Sequence, residues 1–133
     1  MAGRGILILS AAVLFLVGGA GLFAAREAAI GLGAPDAGPT SVIVQIAASA
    51  MLGLAIMNWL SRKNRIGGIY ARPLCLANLL FFASSALCVG KAIAAKQLPV
   101  ICLAVVAGLS ALAFAFVWLA FLHDPLAEPT AQS

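Results

Sequence analysis

The sequence predicts an all-α integral membrane protein, an up-down bundle of four transmembrane helices, on three observations. Only 9% of the 133 residues are charged while 64% are apolar, about a third of the charge density of an ordinary globular domain. The eight basic and four acidic residues leave charge-free stretches at Gly5–Ala25, Ala37–Ser61, Pro73–Gly90 and Gln97–His123. Each is about long enough to cross a ~30 Å hydrocarbon core at ~1.5 Å rise per residue. The connections between them are short, which makes successive helices antiparallel neighbours. Strands are excluded because lipid cannot satisfy the backbone groups of an open sheet, and the ~10-residue alternating segments of a barrel are missing. The remainder is too small for a water-soluble domain, so residues 1–133 read as one membrane domain.

The first span covers about residues 6–25, between Arg4 and the pair Arg26-Glu27. A basic start and an apolar run also suit a signal peptide, but the run is near 20 residues, longer than the ~7–15 of a signal core, so an uncleaved helix is expected. Residues 26–41 form the longest polar connection, where Pro35, Asp36, Gly38 and Pro39 supply turn chemistry and Thr40 and Ser41 a helix start. The second span, about 41–60, ends in Asn58-Trp59 before the basic loop Arg62-Lys63-Asn64-Arg65. Gly67-Gly68 turns the chain toward Tyr70 and Arg72, and Pro73 falls where a first-turn proline is tolerated, its missing N–H being one of the orphans of a helix start. The third span covers about 73–93. A link with Lys96 and Gln97 leads to Pro99 and the fourth span, about 98–122. The tail 123–133 has too little apolar content to fold alone and is expected to be disordered.

Charge sets the orientation. Arg4, Arg62, Lys63, Arg65 and Arg72 share one side of a four-span topology, against Arg26, Lys91 and Lys96 on the other. Positive-inside reasoning places both termini in the cytoplasm. Trp59, Tyr70 and Trp118 fall near that same interface, at headgroup depth. A few bases in a short loop read as a topology signal and do not make a nucleic-acid site.

Helix association in lipid rests on close packing and interhelical hydrogen bonds. Small residues four apart, at Ala20 and Ala24, Ser49 and Gly53, Ala86 and Gly90, Ala104 and Gly108, and Ala107-Ala111-Ala115, read as seams within the chain, with copies of itself or with a partner subunit. Asn58 and Asn78 lie toward the cytoplasmic side of the second and third spans. They are expected either to hydrogen-bond across the central hairpin or, with Arg72, to line a polar pocket for a lipid or quinone headgroup. Gln45 reads as interfacial. Lys91 snorkels to the outer headgroups, or joins Lys96, Arg26, Glu27 and Asp36 in an outer-face charged cluster for an anionic or polar ligand.

Enzymatic chemistry finds little material. No ionisable residue lies at mid-span. Cys75, Cys88 and Cys102 lack Cys-x-x-Cys spacing and read as small buried hydrophobes, not as a redox pair or zinc ligands. His123, the single histidine, cannot build a metal centre alone, and Gly18-Gly19-x-Gly21 does not follow a strand, as a nucleotide loop would. No metal and no cofactor are expected, a bound lipid or quinone excepted. A non-enzymatic accessory or scaffold protein acting through helix contacts is therefore the expected role; a small-solute transporter or channel, and a quinone-binding subunit, are the alternatives.

The stretch Ala50–Leu87, AMLGLAIMNWLSRKNRIGGIYARPLCLANLLFFASSAL, carries a resemblance. Its Asn-Trp-Leu end, short basic loop, Ala-Arg-Pro start and Leu-Ala-Asn-Leu-Leu run resemble the middle hairpin of small four-helix DoxX-like bacterial membrane proteins. The resemblance implies a four-helix bundle in a bacterial inner membrane. Some members are membrane subunits associated with quinone-linked oxidoreductases. No catalytic residue is carried over.

Overall fold

A computed structural model describes residues 2–33, 37–63 and 71–122. Every described element is helical, and four helices are long and apolar enough to cross a membrane. The fold class is thus the one the charge-free stretches predict. The expected tail 123–133, His123, Tyr70, Arg65, the Gly67-Gly68 turn and the Pro35-Asp36 turn lie outside the described residues. The chain divides into two compact units, Met1–Arg62 and Lys63–Ser133, each a helical hairpin.

In the first hairpin α1 spans Ala2–Phe23 and α3 spans Ala37–Ser61. The connection between them is not simply polar loop. It contains a short helix, α2, Ala25–Gly31, entered through a break at Ala24. Glu27 stands in its first turn, where a carboxylate suits the positive end of the helix dipole. Gly33, at φ 78°, takes the left-handed conformation that ends it. Ala25 and Ala29 are its buried residues, so α2 is a second layer packed on α3 by its alanine face. Helix α3 begins at Ala37, earlier than Thr40 and Ser41 suggest. Pro39 fits the first turn, and the Ser41 hydroxyl donates back to the Gly38 carbonyl at 2.7 Å, inside the helix.

The seam between α1 and α3 sets small residues among two leucines and an asparagine, at other positions than the four-residue spacings suggest. Along α1 it runs through Leu7, Ala11, Leu14 and Gly18, and on α3 through Ala48, Ala55 and Asn58. Steps of four and three average 3.5, the repeat of helices crossing left-handed at about 20°. A Cβ on Gly18 would stand 2.9 Å from the Ala48 carbonyl oxygen and 3.1 Å from Met51 Cβ, and one on Gly21 would stand 3.1 Å from Ala48 Cβ. Glycine at these two positions lets the backbones touch. Of the small residues four apart in this hairpin, Ala20, Ser49 and Gly53 are exposed and Ala24 is half-buried.

In the second hairpin α4 spans Ala71–Ala94, and α5, Leu103–Val117, is preceded by a 3-10 turn, Val100–Cys102, and followed by a π turn, Trp118–Leu122. Leu74, Cys75, Asn78, Phe82 and Ala86 of α4 are buried, as are Ala113, Phe116 and Leu119. The Phe82 and Phe116 rings stack with centroids 5.8 Å apart and planes 13° from parallel, and Phe81 meets Phe82 edge-on at 5.4 Å. Between the helices Lys96 adopts φ 57°. Its N–H donates to the Ile93 carbonyl and the Gln97 N–H to the Ala92 carbonyl, both at 2.9 Å, the paired bonds of a Schellman ending.

Candidate functional site

The buried polar groups of the first hairpin form one short chain of bonds. The Asn58 amide donates to the Ser10 hydroxyl at 3.0 Å, and that hydroxyl donates to the Leu7 carbonyl at 3.1 Å. Ser10 and Asn58 are both fully buried. The bond joins α1 to α3 and fixes their register, since sliding either helix by one residue would leave a polar group facing hydrocarbon. Ser10 was not among the residues the sequence singled out. The signal was present: it is the only polar side chain between Ile6 and Ala25, and in an antiparallel pair it lies at the depth of Asn58.

Asn78 belongs to the second hairpin, where it is equally buried and its amide donates to the Leu74 carbonyl one turn earlier, at 2.9 Å. Arg72 is exposed, at the start of α4. With Leu76, Ala120 and Phe121 it lines a cavity of about 160 Å³ within that hairpin. The three residues proposed for a polar pocket therefore sit as Asn58 in one hairpin and Asn78 and Arg72 in the other. Among the described residues no buried side-chain nitrogen or oxygen lacks a hydrogen-bond partner.

Of the expected outer cluster Asp36 lies outside the described residues, and the other four divide in the same way. Arg26 and Glu27 are exposed on α2, Lys91 is exposed in the last turn of α4, and Lys96 is the left-handed residue just beyond it. The two lysines complement the negative end of α4. Gln45 is exposed on α3, and its backbone carbonyl accepts a bond from the Ser49 hydroxyl at 2.8 Å. All three cysteines are free. Cys75 is buried and Cys102 half-buried, whereas Cys88 is exposed, at variance with a uniformly buried set. No three His, Cys, Asp or Glu side chains gather into a metal-binding group among the described residues.

Two further features lie in the first hairpin. On one flank of the α1–α3 seam a groove of about 420 Å³ has Ala12, Phe15 and Leu16 on one wall and Ala55, Ile56 and Trp59 on the other. On the opposite flank, toward α2, a second groove of about 400 Å³ is walled by small residues, among them Ala20, Ala24, Ala28 and Ala47. The Arg62 guanidinium lies over the Trp59 ring, 3.6 Å from its centre, and donates to the Trp59 carbonyl. That carbonyl is in the last turn of α3, where no helical N–H remains to reach it. Trp59 and Arg62 thus make a tryptophan-capped, positively charged end to the first groove.

No family model matches the chain, and no curated protein or solved structure matches it.

Proposed function

We propose that the chain is a non-enzymatic accessory or scaffold protein that works through helix contacts, in a bacterial inner membrane with both termini cytoplasmic. One observation carries this reading. Helix α5 buries Ala113 and Phe116, while Ala104, Ala107 and Ala111 fall on its opposite side with Gly108 on their flank, all four exposed. A Cβ on Gly108 would meet nothing within 4 Å. Where α1 and α3 touch, the chain uses this same chemistry, glycine and alanine allowing backbone contact. Lipid gains little from such a face, because acyl chains pack as well on leucine; a second helix gains close approach. The orientation is supported by Arg4 and Arg62, which the antiparallel register of Ser10 with Asn58 brings to one end of the first hairpin.

The test is photo-cross-linking in the native membrane from a reactive side chain at Ala111. The expected product is one discrete protein adduct, a dimer of this chain or a conjugate with one partner. Gly108→Leu should abolish it, because the added side chain holds a second backbone away. Adducts to lipid alone in the unsubstituted protein would refute the reading.

A further inference from the structure

We infer that the groove between α1 and α3 is a site for one anionic phospholipid, with an acyl chain lying along the groove and the phosphate on Arg62. The groove runs from Trp59, in the last turn of α3, to Leu16 on α1. Ser10 lies level with Asn58, and Gly18 level with Ala48 and Leu52. Leu16 is thus about seven residues deeper than Trp59, or about two helical turns into the membrane. Buried Ala11 and Ala55 form its recess, with exposed Ala12 beside them, and Phe15, Leu16, Ile56 and Trp59 stand up around it, each about half exposed or more. A volume of about 420 Å³ falls in the range of ordinary ligand pockets, ~300–1,000 Å³. The shape is long, apolar and open along the membrane, which suits a chain and not a compact solute.

What distinguishes this groove from any lipid-facing furrow is its charged end. The Arg62 side chain is fixed twice, by the Trp59 ring beneath it and by the Trp59 carbonyl. A guanidinium has five N–H donors, so the helix-capping bond leaves others for phosphate oxygens. Fixing the fork beforehand removes most of the ordering cost of binding. Arg4 lies at the same end of the hairpin, and Glu27, the one acidic residue among those described, lies at the other. Among the described residues no carboxylate lies at the Arg62 end. The groove across the seam is walled in part by α2, where Arg26 has the carboxylate of Glu27 next to it in sequence, and it is not assigned a headgroup.

The experiment uses vesicles of phosphatidylcholine and phosphatidylglycerol in which one or the other carries dibrominated acyl chains, a contact quencher of tryptophan. Trp118→Phe leaves Trp59 as the single tryptophan, excited on the long-wavelength side of tyrosine absorption to spare Tyr70. Brominated phosphatidylglycerol should quench Trp59 as if enriched about fivefold over its mole fraction, the factor that ~1 kcal/mol from one basic residue supplies. Brominated phosphatidylcholine should quench only in proportion to its abundance. Arg62→Gln should remove the enrichment and Lys63→Gln should leave most of it. Ala12→Phe, which fills the groove and keeps the cap, should also remove it. Equal quenching by the two lipids, or equal losses in the Arg62 and Lys63 variants, would overturn the site in favour of a diffuse basic surface. A second reading comes from the chain without Trp118→Phe. Native mass spectrometry from nanodiscs of the same lipids should show one retained phosphatidylglycerol, absent in Arg62→Gln and in Ala12→Phe. Retention unchanged by both substitutions would equally overturn it.

Discussion

The two hairpins solve one problem by opposite means. Helices in lipid cannot be driven together by hiding apolar surface, because the solvent is as apolar as they are; contact must come from packing and polar bonds. The first hairpin removes side chains, so that Gly18 and Gly21 bring the α1 backbone against Ala48, and one buried bond, Asn58 to Ser10, sets the register. The second hairpin adds side chains, and the Phe82 and Phe116 rings, both fully buried, stack across the space between α4 and α5. The first arrangement tolerates no added volume and the second tolerates no loss. That asymmetry can be broken by substitution.

The largest effect is expected at Gly18. A Cβ there would lie 2.9 Å from a backbone oxygen, which cannot swing aside as a side-chain tip would. Gly18→Leu should destabilise the first hairpin by about 3 kcal/mol, the upper end of overpacking costs, measured by equilibrium unfolding in mixed detergent micelles. Gly53→Leu is the control. It places the same side chain where nothing lies within 4 Å and should change stability by less than about 0.5 kcal/mol. Equal costs at the two glycines would mean that the seam lies elsewhere.

Phe82→Ala probes the opposite device. In water a buried Phe→Ala change costs about 3–5 kcal/mol, of which part is transfer and part the cavity left behind. Here the transfer part falls away, since the unfolded helix is also in lipid, and about 2 kcal/mol of lost packing should remain. Phe82→Leu, which keeps most of the volume, should cost about half as much. A double-mutant cycle with Phe116 should then give a coupling of about 0.5–1.5 kcal/mol for the stacked rings. Zero coupling would show that bulk alone, and not ring geometry, holds this hairpin.

Much of this was legible in the sequence because burial in a membrane is announced by what is missing. With eight basic and four acidic residues collected at the ends of apolar runs, the number of spanning helices and their ends follow within a few residues. The contacts were harder to read. Small residues four apart occur all over an alanine-rich chain, and spacing alone cannot tell Gly18, pressed on Ala48, from Gly53, in open space. Rotation about the helix axis decides between them, and an all-round apolar helix gives no polar face to fix that rotation. The same ambiguity hid Ser10, whose role depends on the depth of Asn58 in a different helix. Trp59 and Arg62 were read separately, one as an interface anchor and the other as a topology charge. Their stacking follows from a three-residue step on the last turn of α3, and it turns two common membrane signals into the end of a groove.

The smallest expected effect lies in the connection of the second hairpin, and it has the opposite sign. Lys96 holds φ 57° at the position of a Schellman ending that glycine usually occupies. A β-carbon in the left-handed region is crowded by its own backbone, at a cost of about 1 kcal/mol or somewhat more. Lys96→Gly removes that crowding, but it also frees the unfolded chain and deletes a cation from the negative end of α4, each offsetting a few tenths of a kcal/mol. The net gain should be about 0.5 kcal/mol, read as a higher midpoint in the same micelle titration. Lys96→Ala separates the parts: it keeps the crowding, loses the charge, and should be slightly less stable than the unsubstituted chain. If both variants lose stability equally, the lysine charge outweighs the backbone strain. The turn would then be held by electrostatics at the helix end, and Lys96 would belong with Lys91 as a dipole-facing pair.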